Sequence, residues 1–356
     1  MAGCPIRLSA HRLIYSFNAM IFVTGGSGLV GSYLIPALLA RGLSVRALYR
    51  QTIPRHVPGH ERVEWVEGDL RDSGLLRDSL AGVTHVFHCA GLVSYAPQDA
   101  ELLRQVNVEG TAAVVDACLV RPGVRLCYVS SVAALGGLPE TATSPELDES
   151  AKWDLGAAHG HYATSKYLGE TEVWRGVAEG LSAVMVNPSV ILGATDWQRS
   201  STRLFHYAHQ QHSFYTAGKV NFVDVRDVVE AMLRLTLDLS VSGERYVLSA
   251  GALPLGEFFR QAAACFGRKP PTVQVPDWAA EVIWRAEHLR SLATGSRPLI
   301  TKDTARAGRR PVVYRADKVQ RATGLRFRPV EETIRWACTA LAAGPNSEPA
   351  RGVVQA

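Results

Sequence analysis

The chain has 356 residues, of which 47% are hydrophobic, and a formal net charge of +5. This composition argues against disorder and supplies core for roughly two domains, or one with an annex. No apolar run approaches the ~20 residues of a bilayer span, so no membrane partner is expected. The basic excess is scattered arginine, densest at Gly308-Arg309-Arg310, too short for a nucleic-acid arm. The six cysteines (Cys4, Cys89, Cys118, Cys127, Cys265, Cys338) make no C-x-x-C pair. No metal site is expected, and a reducing, cytoplasmic setting fits.

The first nineteen residues lack a strong apolar segment with a cleavage site and do not read as a signal peptide. The regular pattern begins at Met20, so 1–19 is read as an upstream extension. Strands are expected at Ile21–Val23, Ser44–Leu48, Val63–Val66, His85–His88, Val124–Val129 and Ala183–Val186. Helices are expected at Tyr33–Ala40, Asp99–Leu119 and His161–Ala178. Near-continuous apolar strands alternating with helices predict an α/β fold: a doubly wound parallel sheet with helices on both faces. After Pro188 the rhythm breaks. A strand at Asn221–Val225 leads into a helix from Asp227, and another strand lies at Arg245–Leu248. The division expected is a nucleotide-binding domain over 20–192, with 219–249 returning to it. A smaller interleaved lobe over 193–218 and 250–340 would hold the substrate, and 341–356 is a loose tail.

The first candidate site is Thr24-Gly25-Gly26-Ser27-Gly28-Leu29-Val30-Gly31, between a strand and a helix. Gly25 allows a tight turn, Gly28 lets backbone approach a pyrophosphate, and Gly31 lets helix and strand pack closely. The N–H groups of the helix start, at Leu29 and Val30, face the phosphates. The second strand ends at Arg50 without an acid. An acid there would bind a ribose 2′-hydroxyl, whereas Arg50, helped by Arg55, suits a 2′-phosphate. NADP is therefore expected, with NAD the alternative. In Gly68-Asp69-Leu70, Asp69 either meets the adenine amino group or caps the helix near Asp72. His88-Cys89-Ala90-Gly91 places small residues, Ala90 among them, where a cofactor passes. His88 itself is read as structural.

The second site is Tyr162-Ala163-Thr164-Ser165-Lys166. Residues at i and i+4 share a helical face. A lysine ammonium one turn from a phenol favours the phenolate, which makes Tyr162 the acid of a reduction and the base of an oxidation. Lys166 is also placed to hold the nicotinamide ribose. Ser131, at the carboxyl end of the fifth strand, is placed to bind the substrate oxygen. Asn107 lies in the helical stretch after the fourth strand.

TGGSGLVG, GDL, HCAG, NVEGT, YVSS, YATSK and Asn187-Pro188-Ser189 occur in the order seen in extended short-chain dehydrogenases/reductases. The chain resembles the NAD-dependent epimerase/dehydratase family, near its dihydroflavonol-reductase-like and 3β-hydroxysteroid-dehydrogenase-like branches. The resemblance implies a Rossmann domain and a triad of Ser131, Tyr162 and Lys166. It also implies that Pro188 and Ser189 line the nicotinamide end, and that Thr24, Gly25, Gly28, Gly31, Asp69 and Ala90 line the rest. Family members often dimerise through two helices, here about Asp99–Leu119 and His161–Ala178. The leading expectation is a carbonyl reductase or alcohol dehydrogenase acting on a small molecule. The alternatives are a nucleotide-sugar epimerase or dehydratase with tightly bound NAD, which needs diphosphate ligands such as Arg199, Arg203 and Arg226, and a non-catalytic dinucleotide-binding protein. The aromatics Phe205, Tyr207, Phe214, Tyr215, Trp278 and Trp284 either mark an apolar substrate or pack the lobe.

Overall fold

The structure, a computed structural model, describes residues 19–138, 144–197, 201–294 and 312–344. Residues 1–18, the end of the tail from 345, Arg199 and Gly308–Arg310 lie outside the described residues.

Seven strands form one parallel sheet: β1 (Met20–Thr24), β2 (Ser44–Tyr49), β3 (Glu64–Glu67), β4 (Val83–His88), β5 (Arg125–Val129), β7 (Ser182–Pro188) and β11 (Glu244–Leu248). Between them in sequence, β6 (Glu146–Leu147), β8 (Val190–Leu192), β9 (Phe214–Thr216) and β10 (Lys219–Asp224) belong elsewhere, as do the later β12 (Gly251–Pro254), β13 (Val273–Val275) and β14 (Val313–Tyr314). The order in the large sheet is β11-β7-β5-β4-β1-β2-β3. From β1 the chain runs outward through β2 and β3, then returns to build the other side from β4. The order thus reverses between β1 and β4, and a crevice opens there at the carboxyl ends of the strands. This is the doubly wound Rossmann arrangement that the alternating pattern predicts.

Helices cover both faces. On one side lie α1 (Leu29–Ala40) and α7 (Val225–Leu233), which pack on each other. On the other lie α2 (Ser73–Ser79), the short α3 (Ala100–Arg104), α4 (Gly110–Leu119) and α5 (His161–Ala178). Two apolar layers result, one centred on Ile21, Val23, Leu34 and Val228 and the other on Phe22, Val86, Leu126 and Val173. Successive strand residues therefore feed opposite layers, which is why the strands are apolar throughout.

Two elements differ from expectation. Helix α1 begins at Leu29, a full turn before Tyr33. Its first residues sit among glycines and look like loop in the sequence, yet Leu29 and Val30 are buried. The stretch Asp99–Leu119 is not one α-helix, because Gln105–Glu109 is a π-turn joining α3 to α4.

Within 219–249, β11 pairs with β7 at the edge of the large sheet, whereas β10 pairs with β8 and β12 in a three-stranded sheet. Around that small sheet pack α6 (Thr202–His209), α8 (Leu255–Cys265) and the helix Val330–Ala343. Phe258 is their hub, 5.2 Å from both Phe205 and Phe222. Phe205 is thus a core residue, and Tyr207 and Tyr215 pack beside it. Phe214 and Trp278 are exposed, and the Trp284 indole donates to Glu281.

Candidate active site

The glycine-rich turn is shaped by contacts that leave no room for side chains. Gly25 has a φ of +71°, and a Cβ there would lie 2.5 Å from the Ala90 backbone nitrogen at the end of β4. A Cβ on Gly31 would lie 2.3 Å from the Gly25 carbonyl oxygen. Gly28 differs: only the Gly25 oxygen, at 3.3 Å, comes within 4 Å. It forms the N-cap of α1 in extended conformation, and no side chain bonds to the helix start. The turn is therefore packed tightly inside and open at Gly28, which is exposed at the uncapped start of α1.

A directed chain of hydrogen bonds ties this turn to the π-turn. The Ala90 N–H donates to Thr24 Oγ1 at 3.3 Å. Thr24 Oγ1 and His88 Nδ1 are 2.7 Å apart, and His88 Nε2 and Thr111 Oγ1 3.0 Å. Thr111 Oγ1 donates to the Asn107 carbonyl at 2.7 Å. With the Thr111 proton so committed, His88 must donate from Nε2 and accept at Nδ1 from Thr24, so the network assigns a neutral ring. Burial agrees, pushing the His88 imidazole down to about 3. The Thr24 hydroxyl, fully buried, serves this chain.

Asn107 works at the other end. Its side chain accepts from Leu92 N at 2.7 Å and donates to Leu92 O and Ser165 Oγ, each at 2.9 Å. This fixes the segment after β4 against α5.

Helix α5 carries Tyr162 and Lys166. Lys166 is 4% exposed, and its Nζ donates to Tyr128 Oη at 3.0 Å and to the Val129 carbonyl at 2.8 Å. Burial pushes this amine below its ordinary value, while Tyr162 and Glu170 oppose the shift. Burial also pushes the Tyr162 phenol up. The Lys166 charge and a hydrogen bond with Ser131 pull it back. Ser131 extends from the end of β5, and its Oγ accepts from Ala133 N at 3.2 Å. Ser131, Tyr162 and Lys166 are thus brought together at the carboxyl end of the sheet, with Tyr95 edge-on to the Tyr162 ring at 5.6 Å.

The remaining expected residues divide. Asp69 gives both oxygens to Arg71, as an acceptor from its backbone N–H and guanidinium, which hold its carboxyl down at about 2. The cap of α2 is Asp72, which accepts from Leu75 N. Leu29, Val30 and Leu70 turn their side chains into the core, leaving only their backbones for a ligand. Arg50 is exposed just past β2 and acts electrostatically on Asp69. Ser189 follows Pro188 at the end of β7, and its buried Oγ has no partner. Asn187 Oδ1, beside it in sequence, is equally unpaired. An open helix start and two orphaned acceptors at strand ends fit an extended ligand with phosphates at one end and hydrogen-bonding groups at the other. Arg226 is held by Asp224 and stacks over Trp336 at 3.8 Å, committed within the fold.

Sequence reasoning missed Glu170 and Arg245, which Asn187 links to the Ser131 carbonyl. The signal was present: Glu170 follows Lys166 by one turn, so an acid occupies the buried face of α5.

Comparison with known proteins follows this geometry. The family model described as "NAD dependent epimerase/dehydratase family" matches residues 21–249. Sterol demethylase protein B of Methylococcus capsulatus is 33% identical over 257 residues, covering 71% of this chain and 76% of that protein. Cinnamoyl-CoA reductase 2 of Arabidopsis thaliana is 29% identical over 272 residues, covering 72% and 81%. The crystal structure of gox2253 matches with a TM-score of 0.77 at 31% identity, over 93% of this chain and 100% of that one. The chain belongs to the NAD-dependent epimerase/dehydratase family of extended short-chain dehydrogenases/reductases.

Proposed function

We propose that this protein is an NAD(P)-dependent oxidoreductase that reduces a carbonyl or oxidises a secondary alcohol, with NADP(H) as its cofactor. The observation that carries the reading is Lys166, 4% exposed one helical turn after Tyr162 and bonded to the Val129 carbonyl at the end of β5, the strand that Ser131 follows. The similarity to a cinnamoyl-CoA reductase supports reduction over epimerisation.

The dinucleotide would lie along Gly25, Gly28 and Gly31, with its 2′-phosphate at Arg50 and its nicotinamide end toward Pro188 and Ser189. Bound there, the nicotinamide supplies or accepts the hydride. Ser131 donates a hydrogen bond to the substrate oxygen and polarises it. Tyr162 gives its proton to that oxygen in reduction and removes it in oxidation. Lys166 lowers the cost of the phenolate and would hold the ribose hydroxyls. Tyr95, 44% exposed and edge-on to Tyr162, offers an aromatic surface beside it, which suits a ring-bearing substrate. The exposed Leu102 on α3 and Leu168 and Trp174 on α5 suit a homodimer through those helices. A cytoplasmic setting accords with the free cysteines among the described residues.

The test is Tyr162→Phe assayed against a panel of aromatic and alicyclic ketones. Turnover is lost and NADPH binding retained. Undiminished turnover in this variant would overturn the assignment.

A further inference from the structure

The functional face of α5 does not end at Lys166. One turn later stands Glu170, 2% exposed. A carboxylate so deeply buried is costly unless its oxygens are filled, and here both are. Oε2 accepts from Ser130 Oγ and Asn187 Nδ2, each at 2.7 Å. Oε1 accepts from Arg245 Nη1 at 2.9 Å. The donors come from three neighbouring strands of the sheet: Ser130 just past β5, Asn187 on β7 and Arg245 on β11. Arg245 is itself fixed, because its guanidinium also donates to the carbonyls of Glu149 and Ala151.

Asn187 links this centre to the reaction. Its amide nitrogen donates to Glu170 and also to the Ser131 carbonyl, at 3.1 Å. Ser131 is therefore held from below through Asn187, and through its neighbour Ser130. We propose that Glu170, clamped by Arg245, is a positioning residue of the reaction: it fixes Ser131 through Asn187 and Ser130, and it places a negative charge one turn from Lys166. This inference rests on the function proposed above.

The chemistry calls for a carboxylate. Three donors converge on two oxygens, and a glutamine would turn an NH2 group toward one of them. The hydrogen-bond acceptors of Lys166, Tyr128 Oη and the Val129 carbonyl, are uncharged groups. The titratable groups facing Lys166 are Tyr162 and Glu170 from α5, Tyr128 from β5, and His88 and Cys89 at the end of β4. Of these, Glu170 is the one whose two oxygens are filled by three donors, a guanidinium among them. Removing its charge makes the ammonium easier to deprotonate.

The experiment compares Glu170→Gln, Glu170→Asp and Asn187→Ala in the full chain. In Glu170→Gln, kcat for carbonyl reduction falls about tenfold or more while the NADPH Kd stays within about twofold, as expected when a buried clamp near the reacting atoms is lost. The Lys166 ammonium, followed by side-chain NMR, titrates at lower pH, and the basic limb of kcat moves the same way. Glu170→Asp restores the Lys166 titration because it keeps the charge. Asn187→Ala lowers kcat without moving that titration, and its effect is not additive with Glu170→Gln. Wild-type kcat and an unmoved Lys166 titration in folded Glu170→Gln would overturn the proposal. If that variant does not fold, unchanged kcat in Asn187→Ala overturns it instead. Tyr162→Phe, run in parallel, separates the two readings. If it is as active as wild type, or wild type reduces no carbonyl, the function fails and the Lys166 titration alone decides the charge role.

Discussion

Replacing Gly31 and Gly28 one at a time with alanine separates the turn's packing from its exposure. At Gly31 the added methyl would meet Gly25 O at 2.3 Å, Gly26 Cα at 2.7 Å and the Gly25 carbonyl carbon at 2.9 Å. All three are backbone atoms, and ordinary contact begins at 3.4 Å. Helix α1 and the turn must therefore separate by about 1 Å, a distortion that in packed cores costs about 1–3 kcal/mol. For a chain of this size that lowers Tm by several degrees, at about 2–4 °C per kcal/mol. At Gly28 the methyl meets only Gly25 O, at 3.3 Å, and the backbone φ of −80° suits alanine. Gly28→Ala should keep its Tm within about 2 °C of wild type. It should nonetheless weaken NADPH binding by about tenfold or more, because its methyl stands where the phosphates approach. Thermal unfolding and NADPH fluorescence titration measure both. Wild-type stability in Gly31→Ala, or wild-type NADPH affinity in Gly28→Ala, refutes the division of labour drawn from the contacts.

His88 makes stability depend on acid. Its folded value, about 3, lies below the ordinary histidine value of 6.5, so its contribution is complete above 6.5 and is lost as pH falls toward 3. His88→Gln, measured by Tm against pH, should flatten that acid slope. An unchanged slope would show that the ring is not held neutral. Arg50→Ala should weaken NADPH binding about tenfold and leave NADH binding unchanged, since only the former offers a 2′-phosphate. Equal losses for both cofactors would remove Arg50 from that role.

The glycine turn and the Tyr162–Lys166 pair were legible because each rests on local spacing: a strand–turn–helix junction and one helical turn. The central strands were legible from unbroken apolar runs. The π-turn was not, because its cause is distant: Asn107 reaches across to Leu92, and the α5 backbone comes so close that a Cβ on Gly169 would lie 2.4 Å from the Asn107 carbonyl. The Asp69–Arg71 pair was not legible, because both residues lie in the loop after β3, where no periodicity tells which side chains meet. In the three-stranded sheet β10 was legible, as the strand expected at Asn221–Val225, but its partners β8 and β12, of three and four residues, are too short for alternation to declare them. Arg245 lies 75 positions from Glu170, and a pairing of that kind is written only in the fold.

The edge strand β11 also orders the birth of the protein. Ser131, Tyr162 and Lys166 are all in the chain once Lys166 has left the ribosome, but Arg245 is synthesised much later. Until then β7 has a bare edge, and Glu170 has no guanidinium opposite it. A nascent chain stopped after residue 192 thus holds Ser131, Tyr162 and Lys166 and not the strand that closes the sheet over its buried acid. For anyone grafting a new substrate lobe onto this scaffold, Glu244–Leu248 belongs with the part that is kept.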